Sequence, residues 1–211
     1  MPHPATSPAR VVVLASGSGS VFAALAEAAA RTSDDAAGAV RVTRLVCDQP
    51  DAGVMARARE AGVEAVAVPL IDRSARAQWD VAVADAIAAG EADLVVSAGF
   101  MRILGPAVLD RFTDRVINTH PALLPAFPGA HAVRDALAYG VRVTGCTVHL
   151  VDAGVDTGPV LAQRVVEVRP SDDEESLHER IKTEERHLLP EVAFGMLRNG
   201  WTIDGRRVTI P

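Results

Sequence analysis

The sequence predicts an α/β protein with a Rossmann-like, mostly parallel seven-stranded sheet, helices on both faces and a long C-terminal helix. Short Val-rich runs alternate with Ala-rich segments of helical length. The Val-rich runs are continuously apolar, which is typical of strands covered on both faces. Regular alternation of strands and helices favours parallel pairing with right-handed connections. The 211 residues, of which 49% are hydrophobic, suffice for one domain with a large core.

The first half of the chain contains four predicted strands and three predicted helices. In chain order they are the strand 10–15, the helix 21–31, the strand 40–47, the helix 54–61, the strand 63–68, the helix 78–89 and the strand 93–98. Gly62 and Gly90 follow the second and third helices, as glycine often follows the end of a helix. This order repeats the strand–helix unit of a parallel sheet.

The second half begins with a short predicted strand, 116–117, and a predicted helix, 131–139. Two further strands, 142–151 and 160–168, are of similar length. The segment between them, 152–159, is rich in glycine and aspartate, which indicates a hairpin connection. The last two strands of the sheet are therefore expected to pair with each other.

A long helix and a small hairpin are predicted at the C-terminus. Ser171 is the predicted N-cap of the helix, since four acidic residues follow it and complement the helix dipole. The helix is expected to end near Gly200. Asp204 and Gly205 stand between strand-forming residues, which is a strong hairpin pattern.

Charge and composition argue against several classes of protein. The net charge is −6 and the chain has no Lys/Arg run, so binding of nucleic acid is not expected. No apolar run approaches the roughly 20 residues of a membrane span. The N-terminal segment lacks the apolar region of a signal peptide. We therefore expect a cytoplasmic protein without membrane association.

The domain organisation is expected to be simple. Residues 1–9 contain three prolines and predict a flexible tail, and residues 10–211 predict a single domain. Cys47 and Cys146 are far apart in the sequence and form no CxxC motif. They are expected to be reduced thiols.

The segment SGSGS, residues 16–20, stands between the first predicted strand and the first predicted helix. The N-terminal amides of a helix in this setting face an anion, and Gly17 and Gly19 let the backbone approach it. Ser20 can cap the helix. A dinucleotide fingerprint would have a small residue at the position of Phe22. The pattern favours a phosphate site over a dinucleotide site and over an ordinary tight turn.

The segment INTHP, residues 117–121, joins a buried strand to an amide and an imidazole. Asn118 can donate a hydrogen bond to a developing oxyanion, and His120 can donate one or move a proton. A nearby aspartate would raise the pKa of His120, and the candidate is Asp156, which could also be a simple turn residue. The chain has no Gly-x-Ser-x-Gly motif, so the nucleophile is expected to belong to a substrate.

The segment GFMRIL, residues 99–104, leaves the carboxyl end of the fourth predicted strand, where open α/β sheets bind ligands. Its apolar side chains and one cation suit a flat heterocycle with a charged tail. Phe100 is expected in the core and residues 101–104 in the site. His149 is expected to be a hydrogen-bonded core residue. No metal is expected, because the histidine spacings match no zinc pattern.

Taken together, five segments resemble the folate-dependent formyltransferase family. The resemblance extends from Val11 to about Ile203. The segments are VVLASGSGS, AGFMRIL, INTHPALLPAFPG, GCTVHLVDAGVDTGPV and ERIKTEE. It implies transfer of a formyl group from the co-substrate 10-formyltetrahydrofolate to the amine of glycinamide ribonucleotide, a step of de novo purine biosynthesis. The folate and the ribonucleotide would be the partners of a monomer or homodimer.

The resemblance also implies roles for individual residues. Asn118 and His120 would hold the oxyanion, and Asp156 would keep His120 charged and relay a proton. The folate-binding positions would be Arg76, Met101, Arg102, Ile103, Leu104, Asn118, Asp152, Val155 and Asp156. The ribonucleotide-binding positions would be Gly19, Ser20, Val21, Lys182 and Glu185. Helical spacing alone would make Lys182 and Glu185 a surface ion pair.

One departure and two alternatives bear on this interpretation. Family members often have Asn where this chain has Val21, so a phosphate contact there must use the backbone N–H. A formyltetrahydrofolate deformylase, a hydrolase, normally has an N-terminal regulatory domain, for which the residues before Arg10 leave no room. A nucleotide-binding Rossmann protein without formyl transfer is the other alternative, and Phe22 argues against it.

Overall fold

The computed structural model describes residues 8–32 and 38–211, and these residues form nine strands, six α-helices and one 3-10 turn. The strands are β1 (Ala9–Ala15), β2 (Val40–Cys47), β3 (Glu64–Ala67), β4 (Leu94–Ser97), β5 (Val116–His120), β6 (Val143–Leu150), β7 (Val160–Glu167), β8 (Thr202–Asp204) and β9 (Arg207–Thr209). The helices are α1 (Ser20–Ala30), α2 (Gly53–Glu60), α3 (Arg76–Ala89), α4 (Pro106–Arg111), α5 (Ala132–Tyr139) and α6 (Glu174–Asn199).

Seven of the described strands form one sheet in the order β3-β2-β1-β4-β5-β6-β7. The five strands from β3 to β5 pair in parallel, whereas β6 and β7 are antiparallel to their neighbours. The chain winds from β1 to β2 in one direction and later returns to β4 on the other side of β1. Ligands of open α/β sheets bind at such a reversal. The predicted mostly parallel, seven-stranded sheet is confirmed.

Apolar side chains cover both faces of the sheet because successive residues of a strand point to opposite sides. On one face, Val11 and Val13 of β1 belong to a core that includes residues of α1, α2 and α6. On the other face, Val12 and Leu14 pack in a second core with residues of α3 and α4. The prediction of helices on both faces is therefore confirmed.

Strand β5 is longer than predicted. The polar residues after Ile117 predict that the strand ends there, but the strand continues to His120. Asn118, Thr119 and His120 pair with residues of β6, and Asn118 lies opposite His149. The two predicted donor side chains consequently lie on a strand rather than on a loop.

The N-caps of two helices differ from prediction. Helix α1 has Gly19 as its N-cap, with no side-chain hydrogen bond, and Ser20 is its first residue. Helix α6 begins after Asp173, whose carboxylate accepts from the N–H of Ser176 at 2.8 Å. The Ser176 hydroxyl in turn accepts from the N–H of Asp173 at 3.0 Å. This reciprocal capping box, rather than Ser171, satisfies the first amides of the helix.

Helix α4 is absent from the predicted elements because it is six residues long and begins with Pro106. Its cap comes from α3, where Asp80 accepts from the N–H groups of Gly105 and Ala107 at 2.7 and 2.8 Å. A Cβ on Gly105 would lie 2.5 Å from Asp80 Oδ2, so this close approach requires glycine. A side chain about 25 positions earlier in the sequence thus caps the helix.

The ends of the chain agree in part with prediction. Residues 1–7 of the predicted tail lie outside the described residues, and β1 begins at Ala9, within the predicted tail. The predicted terminal hairpin is confirmed by the antiparallel pair β8 and β9. Cys47 and Cys146 are both buried and free. In the part of the chain that the structure describes, no helix has the length and apolar composition needed to cross a membrane.

Candidate active site

The predicted site residues gather at the edge of the sheet where β1, β4 and β5 end. These three strands are parallel neighbours, so the loops that follow them start side by side. Ser16 joins the first two loops. Its N–H donates to the carbonyl of Gly99 at 3.1 Å, and its hydroxyl accepts from the N–H of Met101 at 2.8 Å. The candidate site is framed by these loops and by the segment after β6.

Asp156 contacts His120, a contact that the sequence could only imply by resemblance. Asp156 Oδ2 lies 3.3 Å from His120 Nδ1 and accepts from the N–H of Gly129 at 2.7 Å. His120 Nε2 lies 2.8 Å from the carbonyl oxygen of Phe127. Because a carbonyl only accepts, His120 Nε2 carries a hydrogen in this arrangement. Asp156 has a φ of 54°, a left-handed conformation that few residues other than glycine adopt.

His149 is a further member of the site, which sequence reasoning placed only in the core. It is 2% exposed, and its Nε2 lies 3.5 Å from Asp156 Oδ1 and 3.2 Å from Asn118 Nδ2. Its Nδ1 donates to the carbonyl of Leu150 at 2.8 Å, so Nε2 is the atom that faces the site. The signal for this role is the cross-strand pairing of Asn118 with His149, which depends on how β5 pairs with β6.

The pKa values of His120 and Asp156 both lie below their ordinary values, for different reasons. Burial lowers the pKa of His120 below its ordinary value of 6.5, and it outweighs the Phe127 carbonyl and Asp156, which act to raise that pKa. Asp156 thus acts in the predicted direction, but the net shift is opposite because the prediction omitted desolvation. Burial acts to raise the pKa of Asp156, but hydrogen bonds from His149 and the Gly129 N–H outweigh burial and hold that pKa below its ordinary value.

The proline-rich loop after β5 is held against β6 and β7 by two side chains. The hydroxyl of Thr147 donates to the carbonyl of Ala122 at 2.7 Å and accepts from the N–H of Leu124 at 3.0 Å. The amide of Gln163 donates to the carbonyl of Leu124 at 2.9 Å. These bonds hold the loop that carries the Phe127 carbonyl next to His120.

Two charged side chains hold the loop of residues 99–105. Arg76, the first residue of α3, donates to the carbonyl of Ile103. Asp48 accepts from Arg102, with 2.7 Å between Oδ2 and Nε. The Asp48 side chain is 1% exposed and the Arg102 side chain 30% exposed, so this ion pair is half-buried. The predicted folate-binding residues Arg76 and Arg102 therefore support the loop in this structure.

The apolar side chains near the site differ in exposure. Met101, Ile103 and Val155 are 73%, 60% and 48% exposed, so their side chains are accessible to a ligand. Leu104 is 6% exposed and belongs to the core between the sheet and α3. A ligand contact at Leu104 would therefore use its backbone. Phe100 packs against the same core, in agreement with its predicted position.

Asp152 closes the loop that carries Asp156. Asp152 Oδ1 accepts from the N–H of Gly154 at 3.0 Å and from the hydroxyl of Thr157 at 2.6 Å. A Cβ on Gly154 would lie 2.0 Å from the Thr157 oxygen, so the loop needs glycine at this position. Asp152 thus shapes the loop from within.

The predicted phosphate site lies at the turn between β1 and α1. Gly19 has a φ of 76°, and a Cβ there would lie 2.5 Å from Val54 Cγ2. Both observations explain why glycine is required. Val21 is buried, so its side chain faces the core and its N–H remains to face an anion at the helix N-terminus. Arg57 of α2 donates to the carbonyl of Ser18 at 2.8 Å and steadies the turn.

Lys182 and Glu185 do not form the surface ion pair predicted from their spacing. Glu185 is 5% exposed and accepts from the hydroxyl of Thr119 on β5 at 2.9 Å. Lys182 pairs instead with Glu179 at 2.9 Å. Burial raises the pKa of Glu185 to about 7, although Thr119, Lys182 and Arg186 act to lower it. Glu185 therefore links α6 to the strand that carries Asn118 and His120.

The side chains of the site provide hydrogen-bond donors and one carboxylate. The amide of Asn118 and the ring of His120 can donate to an oxyanion, and Asp156 can accept a proton. Burial raises the pKa of the Cys146 thiol to about 12, so this cysteine of β6 is a poor nucleophile. Among the described residues, no group of three His, Cys, Asp or Glu side chains could hold a metal ion.

Comparison with known proteins identifies the family of this chain. A model of the formyl transferase family matches residues 9–193. Over 207 residues the chain is 55% identical to phosphoribosylglycinamide formyltransferase of Mycobacterium tuberculosis, with 98% of this chain and 94% of that protein covered. It is 38% identical over 188 residues to the Bacillus subtilis protein of the same name, with 89% of this chain and 94% of that protein covered.

A solved structure shares the whole fold. Glycinamide ribonucleotide transformylase 1 from Symbiobacterium toebii matches with a TM-score of 0.87 and 41% sequence identity, covering 95% of this chain and 93% of that chain. The family model covers the sheet, the loops of the candidate site and most of α6. The chain belongs to the formyl transferase family.

Proposed function

We propose that this protein transfers a formyl group from 10-formyltetrahydrofolate to the amine of glycinamide ribonucleotide, in de novo purine biosynthesis. The observation that carries the proposal is the contact of Asp156 with His120, beside Asn118 at the end of β5. The 55% identity to a phosphoribosylglycinamide formyltransferase supports the same substrates.

The reaction joins two bound substrates directly. The amine nitrogen of the ribonucleotide attacks the formyl carbon, which forms a C–N bond and an oxyanion. The Asn118 amide and the His120 N–H donate hydrogen bonds to this oxyanion. For this the His120 Nε2–H must exchange the Phe127 carbonyl for the formyl oxygen. The bond from the formyl carbon to N10 then breaks, the amine loses a proton and N10 gains one.

Asp156 is assigned the proton transfer. Its carboxylate is ionised near neutral pH because its pKa lies below its ordinary value. It can therefore accept the proton released by the amine, through water, and pass it towards N10. Its contact with His120 also favours the charged form of that ring at the stage when the oxyanion develops.

The two substrates are assigned to different loops. The folate would lie along residues 101–104 and the loop of residues 152–156, where the exposed Met101, Ile103 and Val155 offer apolar surface. The phosphate of the ribonucleotide would bind the N-terminus of α1. Lys182 and Glu185 would contact the same substrate from α6.

The decisive experiment offers the purified protein 10-formyltetrahydrofolate with and without glycinamide ribonucleotide. We expect tetrahydrofolate and formylated ribonucleotide in equal amounts, and only when both substrates are present. Absorbance follows the folate, and mass spectrometry identifies the ribonucleotide product.

Two other outcomes would contradict the proposal. Release of formate without the ribonucleotide would identify a deformylase. If neither mixture reacts and the protein instead binds a dinucleotide, the site is a nucleotide-binding site without formyl transfer.

A further inference from the structure

The C-terminal hairpin, β8 and β9, lies beyond residues 9–193, which the family model matches. It is nevertheless anchored to the domain. Trp201, just before β8, is 5% exposed, and its indole N–H donates to the carbonyl of Asp114 at 3.1 Å. Ile203 and Val208 pack against the core that contains α6. The hairpin is therefore a well-fixed platform.

The loop that carries Asp156, residues 152–159, is fixed at both ends. At its start Asp152 binds Gly154 and Thr157, as described above. At its end the carbonyl of Pro159 accepts from the N–H of Leu150 at 2.9 Å. A Cβ on Gly158 would lie 1.7 Å from the Leu150 carbonyl oxygen, so only glycine permits this close approach of the loop to the end of β6. The carbonyls of residues 157 and 158, directly after Asp156, accept from a side chain of the hairpin.

Arg206, at the turn of the hairpin, binds both of these carbonyls. Its Nη1 donates to the carbonyl of Thr157 at 2.9 Å, and its Nη2 donates to the carbonyl of Gly158 at 3.3 Å. A planar guanidinium presents two donors in a rigid fork, which the single ammonium of lysine does not reproduce. No ion pair involves Arg206 in the described ranges, so the two carbonyls are the contacts that engage its charge.

We propose that Arg206 is a positioning residue for Asp156, holding the loop so that the carboxylate stays against His120 and His149. The inference rests on the proposed function of Asp156. The link is short, because Thr157 follows Asp156 directly and Asp156 is held in a left-handed conformation. A small shift of the Thr157 carbonyl moves the Asp156 backbone with it. A displacement of about 1 Å can lower a catalysed rate by two orders of magnitude.

The kinetic test compares Arg206→Ala, Arg206→Lys and Arg207→Ala with the unaltered protein. We expect Arg206→Ala to lower kcat about tenfold with little change in either KM, because the loop shifts without removal of a substrate contact. Arg206→Lys should lie between Arg206→Ala and the unaltered protein. Arg207 is exposed like Arg206 but does not bind the carbonyls of residues 157 and 158, so its variant should keep the full rate.

The pH profile separates a positioning role from a general structural one. Hydrogen bonds from His149 and the Gly129 N–H hold down the pKa of Asp156. If the loop loosens in Arg206→Ala, these bonds weaken and the pKa of Asp156 rises. The acid limb of the kcat profile should then move to higher pH in Arg206→Ala and stay in place in Arg207→Ala.

Hydrogen exchange tests the inference without reference to activity. Amides of residues 152–159 should exchange faster in Arg206→Ala than in the unaltered protein, with Arg207→Ala unchanged. The inference is overturned if Arg206→Ala matches the unaltered protein in exchange and in kcat, or if both alanine variants lose rate equally. Failure of the proposed function is a different result, because the unaltered protein itself would then form no formylated ribonucleotide.

Discussion

Asp156 presents its two carboxylate oxygens to two different histidines. Oδ2 faces His120 and Oδ1 faces His149, while the N–H of Gly129 also binds Oδ2. The shared carboxylate stays ionised because these contacts outweigh its burial. For His120 burial prevails. Burial favours the neutral ring more strongly than Asp156 favours the charged ring. An oxyanion next to His120 would shift this balance towards the imidazolium.

The first prediction concerns the charge of Asp156. Asp156→Asn keeps the shape of the side chain but removes the proton acceptor. We expect kcat to fall by about two to four orders of magnitude, with both KM values nearly unchanged. Steady-state kinetics with each substrate varied in turn will measure this. The control is Asp135→Asn in α5, whose side chain is 46% exposed and which should keep the normal rate. A near-normal rate for Asp156→Asn would remove Asp156 from the mechanism.

The second prediction concerns the buried carboxyl of Glu185. Burial raises its pKa from the ordinary 4.5 to about 7, so the folded chain holds a proton there that the unfolded chain has released. The free energy of unfolding therefore falls as the pH rises through this window. Glu185→Gln removes this titration and can keep the bond from Thr119. The variant's free energy of unfolding minus that of the unaltered protein should therefore increase by about 3 kcal/mol from acid to mildly alkaline pH.

Urea unfolding at a series of pH values measures this difference. Glu60→Gln is the control, because Glu60 is an exposed carboxylate at the end of α2. Its stability should follow that of the unaltered protein at every pH. A difference between Glu185→Gln and the unaltered protein that does not vary with pH would show that Glu185 titrates normally.

At the level of elements, the loop of residues 99–105 takes its shape from its neighbours. Ser16 after β1 binds Met101, and Asp48 after β2 binds Arg102. Arg76 and Asp80 of α3 bind the end of the loop and the start of α4. The loop therefore depends on four side chains from three other parts of the chain. Such cross-links pre-organise a binding loop before its ligand arrives.

The third prediction concerns the Asp48–Arg102 pair. Asp48→Asn removes the charge that holds Arg102, while the rest of the loop keeps its bonds. We expect the KM for 10-formyltetrahydrofolate to rise about three- to tenfold, because a looser loop must be ordered on binding. The KM for the ribonucleotide should stay within error. The control is Asp51→Asn, an exposed aspartate in the same turn. An equal rise in both KM values would assign Asp48 to general stability.

At the level of the whole molecule, the sheet order assembles the site. The parallel neighbours β1, β4 and β5 bring the turn before α1, the loop of residues 99–105 and Asn118 to one edge. The change to antiparallel pairing at β6 then sets His149 opposite Asn118 and lets the following loop return with Asp156. Helix α6 closes the arrangement through Glu185, which binds β5.

The fourth prediction uses the two thiols as reporters of global opening. Cys47 and Cys146 are fully buried, and burial raises the pKa of both, that of Cys146 to about 12. We expect a thiol reagent at mildly alkaline pH to react with the folded protein at least about 100-fold more slowly than with the chain in guanidinium. Absorbance of the released reagent anion measures both rates. Fast reaction of the folded protein would mean that one of the strands β2 and β6 opens locally.

Much of the fold could be predicted because its signals are local. Apolar runs, glycines at helix ends and the Asp204–Gly205 turn act within a few residues, and they marked all seven strands of the sheet. The failures have a different origin. Asp173 rather than Ser171 caps α6, and Asp80 of another helix caps α4. Competition between two possible capping residues leaves no local pattern, and neither does a contact between residues far apart in sequence.

The sequence by itself determined the alternating strands and helices, the donor pair at the end of β5 and, by resemblance, the family. These follow from the order of side chains along the chain. The tertiary structure alone decided that His149 belongs to the site, that Glu185 is buried and that Arg206 reaches the loop of Asp156. Each of these depends on strand pairing and on packing between segments far apart in sequence. Desolvation likewise arises only in the packed molecule, and for that reason the net shift of the His120 pKa was opposite to the predicted one.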